Sequence, residues 1–179
     1  LYLTESQTIL IKQMSAGGAL LHSEAEHDEA CALLSGCSFF RQLSDAEIAA
    51  LAPCVSVLYL TESDEVVRRG QEASFFAVLL EGQLRLQAGD DLDALSCASD
   101  LSPGAVVGAS GLFRGGVRQH DVRSHDDSTL AVMSYTELEE LRAAVPTLGE
   151  RLTHLLAAHL VHDLLGGGGG GGNGGAPLP

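Results

Sequence analysis

Three groups of residues in this 179-residue chain are of types that do chemistry. The first lies in the stretch from Val107 to Val122, where Gly108, Gly111, Gly115 and Gly116 surround Arg114 and Arg118. A glycine-led loop of this kind can aim backbone N–H groups at an anion, while Arg118 supplies a charge-assisted, forked donor to a phosphate. The competing reading of Arg118 is a solvated surface arginine, and a small register shift would let Arg114 substitute for it. The second group is His120-Asp121 with His125-Asp126-Asp127. These are metal-ligand types, but a metal-binding β-roll needs an H-x-H pair followed by a carboxylate, so a solvated strand and turn fit them better. The third is His154, His159 and His162, of which only the last two, at i and i+3, share a helix face; surface or interface packing accounts for them. The sequence has no Ser/His/Asp or Cys/His signature, no GxxxxGK[ST] phosphate loop and no GxGxxG, so no enzyme class is supported.

The elements that must position these groups change character along the chain. Short strand-like runs occupy Val55–Leu60, Glu65–Arg69, Phe76–Leu80, Gln83–Gln87 and Thr129–Met133, separated by turn residues. Helical patterns flank them. Ser23 to Leu34 has helix-favouring Glu and Ala, and Ser44-Asp-Ala-Glu47 carries the N-cap serine and spaced carboxylate of a capping box. Thr136–Ala144 reads as a short helix and Thr147–Leu165 as an amphipathic one after Pro146. Short strands between terminal helices bury their faces only by stacking two sheets, which predicts a mainly β jelly roll with flanking α-helices.

Composition sets the class of partner. Hydrophobic residues make up 45% and aromatics only 4%, so the core is built from Leu, Val and Ala. A formal charge of -14 repels phosphate backbones and anionic membranes, which argues against nucleic acid as a partner. No apolar run approaches the roughly 20 residues that span a bilayer, and the start lacks a basic signal region, so membrane insertion by this chain is not expected and a cytoplasmic location is. Cys31, Cys37, Cys54 and Cys97 form neither a CxxC pair nor a clustered disulfide framework, and read as reduced, mostly buried thiols.

Three regions follow. Residues 166–179 are Gly-rich and read as a flexible linker or tail, and residues 23–165 form the folded domain. Residues 1–22 contain Leu1-Tyr-Leu-Thr-Glu-Ser6, repeated as Leu58-Tyr-Leu-Thr-Glu-Ser63, with β-like basic segments after each copy. Chance is one reading of the repeat; the preferred one makes residues 1–22 the remnant of a preceding tandem domain, and a first residue that is Leu and not Met, with the Gly-rich end, reads as a fragment of something longer.

Residues 23–165 resemble the cyclic-nucleotide-binding domain family, which includes regulatory subunits of cAMP-dependent protein kinase and the bacterial catabolite activator protein. The resemblance rests on Leu33-Leu34 with Phe39-Phe40-Arg-Gln-Leu-Ser44, on Glu65-Val-Val-Arg-Arg-Gly70, and on Phe75-Phe76-Ala-Val-Leu-Leu-Glu-Gly82. It implies a β-roll, or double-stranded β-helix, with N-terminal and C-terminal helices. It also implies a phosphate-binding cassette of the pattern FGExALxxxxPRxAxV over Val107–Val122. Gly108, Leu112 and Arg118 keep that pattern, and the implied contact set is Gly108, Ala109, Ser110, Leu112, Arg118 and Gln119. Ala109 stands where the family has the glutamate that accepts the ribose 2′-hydroxyl, and Val117 replaces its proline. Losing a hydrogen bond of about 1.5–3 kcal/mol weakens binding by about ten- to a hundred-fold or more. Gly111, Gly115 and Gly116 would add an ordering cost.

The expectation is therefore a noncatalytic, degenerate module with a regulatory, docking or structural role, held by protein partners in a larger assembly. The alternative is a working cAMP or cGMP sensor, and a metal cupin enzyme is the weaker one. The setting expected is cytoplasmic, with a cilium or flagellar axoneme, a channel or transporter tail, or a kinase regulator as candidates.

Overall fold

A computed structural model describes residues 24–87 and 99–166, with side chains from 25 to 162. The repeat copy at 1–6, the tandem-remnant reading of 1–22, Cys97 and the tail beyond 166 lie outside the described residues.

Helix α1 (Glu24–Gly36) leads through a 3-10 turn (Ser38–Phe40) into α2 (Asp45–Leu51). The expected capping box is present: the Ser44 N–H donates to Glu47 Oε2 (2.8 Å) and the Glu47 N–H to Ser44 Oγ (3.4 Å). A second 3-10 turn (Ala52–Cys54) feeds the strands β1 (Ser56–Leu60), β2 (Glu65–Val67), β3 (Phe75–Glu81), β4 (Leu84–Gln87), β5 (Ser99–Leu101) and β6 (Val106–Val107). Helix α3 (Ala109–Arg114) precedes β7 (Asp121–Ser124) and β8 (Ser128–Ser134), and α4 (Tyr135–Ala144) and α5 (Pro146–Gly166) complete the described chain. The five expected strand runs fall on β1, β2, β3, β4 and β8. The short β5 and β6 carry too few residues to show a period. Pro146 does not separate α4 from α5 by a loop; it is the first residue of α5, where its missing N–H costs nothing.

The strands form two antiparallel four-stranded sheets, ordered β1-β8-β3-β6 and β2-β7-β4-β5. This is the mainly β roll with helices at both ends that the sequence predicts. Alternation along β3 and β8 explains the layering. Phe75, Ala77, Leu79, Leu130 and Val132 face the second sheet together with Leu58, Leu60, Val66, Val67, Leu84 and Val122. Phe76, Val78, Leu80, Ala131 and Met133 face the other way, onto Leu34, Leu51, Leu138, Leu148 and Leu152 of the helices. Both central strands are therefore buried on two faces and read as unbroken apolar runs. The outer face of the second sheet is charged instead, with Glu65, Arg123, Arg85 and Asp100 in cross-strand register.

Leu130 is fully buried between the sheets. Leu130→Ala should lower unfolding stability by about 2–5 kcal/mol, read from the midpoint of urea denaturation.

Candidate functional site

The Gly-led loop begins where β6 ends, with Val107 paired to Ala77 of β3. Gly108 then turns the chain in the left-handed region, at φ +92°, and caps α3. A side chain is excluded there twice over: a Cβ would overlap Arg118 Nη1 and lie 2.7 Å from the Phe75 carbonyl oxygen, besides the conformational penalty. After α3 the chain returns through Gly115 and Gly116, both at positive φ. It then pairs with the segment after β2: the Arg118 N–H donates to the Gln71 carbonyl (2.8 Å), Gly70 N–H to the Arg118 carbonyl (2.9 Å) and Ala73 N–H to the Gly116 carbonyl (3.0 Å).

This pairing fixes Arg118 with its side chain inside, only 6% exposed. Nη2 donates to the Phe75 carbonyl at 2.7 Å, and the guanidinium carbon sits 4.4 Å from the centre of the Phe75 ring. Nη1 is buried without a hydrogen-bond partner. The solvated-surface reading of Arg118 is thereby overturned: the side chain is buried, with its guanidinium against the Phe75 carbonyl and ring. The Tyr135 hydroxyl closes the other side and donates to the Gly108 carbonyl at 2.7 Å. Burial lowers the Arg118 pKa from its ordinary value, and the neighbouring Tyr135 hydroxyl partly opposes that shift. Burial raises the Tyr135 pKa, with Arg118 opposing. A guanidinium keeps its proton in a protein, so the site holds a fixed positive charge beside a neutral phenol.

Of the six residues nominated from sequence, Gly108 and Arg118 meet. Ala109 adjoins them, but its methyl is buried in the helix-side core, so this position offers no acceptor oxygen. Leu112 packs half-buried against the same core, Ser110 is exposed on α3, and the Gln119 amide folds back onto the Val117 carbonyl (3.0 Å). Arg114 lies exposed in the last turn of α3. The ordering cost expected of Gly111 is not what its surroundings indicate: a Cβ there would overlap the Tyr135 hydroxyl and lie 2.5 Å from Ala73 Cβ, so glycine lets α3 dock closely. Phe75 and Tyr135 are absent from the nominated set. Phe75 stands in a strand motif, and nothing local marks Tyr135 as facing the loop.

Three residues of the second candidate group have partners elsewhere. Asp121 accepts from the Arg69 N–H (2.8 Å), Asp126 from the Gln83 N–H (2.7 Å), and His125 Nε2 is 3.4 Å from Arg85 Nη2. Among the described residues no three His, Cys, Asp or Glu side chains converge as a metal site would require, and no helix is long and apolar enough to cross a membrane. A shallow cleft at the other end of β8 is lined by Tyr59, Glu81 and Asp127 among others, whose carboxylates suit no phosphate.

Gly108→Ala adds both strain and overlap with Arg118, whereas Gly116→Ala at φ +92° meets open space. Gly116→Ala should cost about 1–2 kcal/mol of stability and Gly108→Ala more, measured side by side by urea denaturation.

Residues 57–144 match the family model described as cyclic nucleotide-binding domain. No curated protein matches the chain significantly. Among solved structures, a cyclic nucleotide-binding domain from Methylobacillus flagellatus shares 19% identity with a TM-score of 0.61, over 82% of this chain and 85% of that one. The Thermus thermophilus catabolite activator protein shares 19% identity with a TM-score of 0.57, over 72% and 60%. A mutant of a cAMP-binding acyltransferase from Mycobacterium smegmatis shares 18% with a TM-score of 0.57, over 75% and 43%. At these identities the likeness is one of fold. The family match over β1 to α4, on a chain that folds as the two-sheet roll, identifies residues 57–144 as a domain of the cyclic nucleotide-binding domain family.

Proposed function

We propose that the chain is a noncatalytic member of this family whose ligand site is degenerate, and that it serves as a regulatory, docking or structural module of a larger protein or assembly. The observation that carries this reading is the buried methyl of Ala109 directly beside the Gly108–Arg118 pair. The resemblance assigns position 109 to a carboxylate that receives the ribose, so the chain keeps the half of the site that suits an anion and lacks the half that suits a sugar. In this reading α4 and α5 are held by a protein partner, not by a nucleotide. A cytoplasmic assembly, with a ciliary or flagellar axoneme as one instance, is the setting that goes with it. Isothermal calorimetry of the full chain with cAMP and cGMP should show no binding tighter than about 10–100 μM, which is the micromolar range weakened by one to two decades. Tight stoichiometric binding would overturn the proposal.

A second reading is a working cAMP or cGMP sensor, and one observation favours it: the buried, unpartnered Nη1 of Arg118. An unmet donor on a charged group costs about 1–3 kcal/mol or more, which an anionic ligand would recover. If this reading holds, nucleotide binding is measurable and Arg118→Ala abolishes it; affinity unchanged in that variant contradicts it.

A further inference from the structure

The repeated hexapeptide has a structural counterpart that the ligand site does not use. Leu58–Ser63, the second copy, forms most of β1 and the turn into β2. Both strands lie at sheet edges: β1 pairs only with β8 and β2 only with β7 among the described strands. The β1–β2 segment is thus a peripheral piece whose removal leaves β8 paired to β3 and β7 paired to β4. Its hold on the domain is its apolar side chains, since Leu58, Leu60, Val66 and Val67 all enter the core between the sheets.

Leu1–Lys12 reproduces that pattern position by position. Leu1, Leu3, Ile9 and Leu10 stand for Leu58, Leu60, Val66 and Val67, and Tyr2 stands for Tyr59, whose hydroxyl donates to Glu29 of α1 at 2.6 Å. Ser6 stands for Ser63, the residue at φ +71° that turns the chain between the strands. Residues 13–23 are far too few to carry the remaining strands of a second roll, which in the described domain run from Phe75 to Ser134. Residues 13–23, fully extended, reach about 38 Å, while a domain of this size has a radius of gyration of about 14 Å. The tether is long enough for the copy to reach the edges of its own domain.

We propose that residues 1–12 are a second occupant of the seat along β8 and β7 of the same chain, able to replace the resident β1–β2 segment. The resident holds the seat at rest through two carboxylates the copy lacks. Asp64 accepts from the Thr61 N–H (2.9 Å) and hydroxyl (3.0 Å) to close the turn, and Glu65 pairs with Arg123 (2.9 Å). Gln7 and Thr8 occupy those places in the copy. The copy gains its advantage from being tethered, which makes its arrival an intramolecular event.

The test is a rescue in the full chain. Leu58→Asp with Leu60→Asp disables the resident, and the protein should keep a cooperative thermal transition and remain monomeric by light scattering. Adding Leu1→Asp and Leu3→Asp should abolish the transition, whereas those two changes alone should leave it in place. The proposal is overturned if the resident variant has already lost its transition, if the fourfold variant keeps it, if the copy variant alone loses it, or if the resident variant folds only as a dimer. A second measurement stands apart from these charged substitutions. Removing residues 1–12 from the otherwise unaltered chain should slow hydrogen exchange of the β1 amides that pair with β8, relative to those of β3. Unchanged exchange in β1 also overturns it.

Discussion

A guanidinium cannot shed its charge, so a chain that buries one must surround it with groups that tolerate a cation. Arg118 is buried to this degree, and its surroundings account for much of the local design. The Phe75 carbonyl takes one donor and the Phe75 ring faces the cation. Gly108 leaves room for Nη1, in a backbone conformation that glycine favours. Nη1 has no hydrogen-bond partner, while main-chain hydrogen bonds to Gln71 and Gly70 hold the Arg118 backbone in place.

That constraint spreads into the scaffold through one strand and one helix. Phe75 opens β3, which is central to the first sheet and buried on both faces, so the carbonyl that receives Arg118 belongs to a rigid part of the roll. Tyr135 opens α4, donates its own backbone N–H to the Ser74 carbonyl, and sends its hydroxyl to Gly108. The loop, the centre of the sheet and the start of the terminal helices therefore meet at one charge. In the proposed module, a partner that held α4 would bear on this junction through Tyr135.

The roll is legible in the sequence because its signals are local or periodic. The Ser44–Glu47 capping box appears as written in the sequence, and the unbroken apolar runs of β3 and β8 announce strands covered on both sides. Gly108 and Arg118 are likewise legible through the resemblance that joins them. The fate of the Arg118 side chain is not, because it is decided by residues 70–73 and by Phe75, more than forty positions away in sequence. The same holds for Gly111: a glycine in a loop suggests slack, and only the position of Tyr135 reveals close packing. The short β5 and β6 carry no periodic signal at all, and their pairing with β4 and β3 is a tertiary decision.

The central claim is that Arg118 is turned inward onto Phe75 and contributes to holding the loop. A double-mutant cycle measures this directly, with Arg118→Met, Phe75→Leu and the pair compared by urea denaturation. Phe75→Leu removes the ring and keeps the carbonyl, so the cycle isolates the cation–ring contact. A favourable coupling of about 0.5–2 kcal/mol is predicted for a desolvated pair. Additivity to within about 0.3 kcal/mol would contradict the account and place the guanidinium away from the ring.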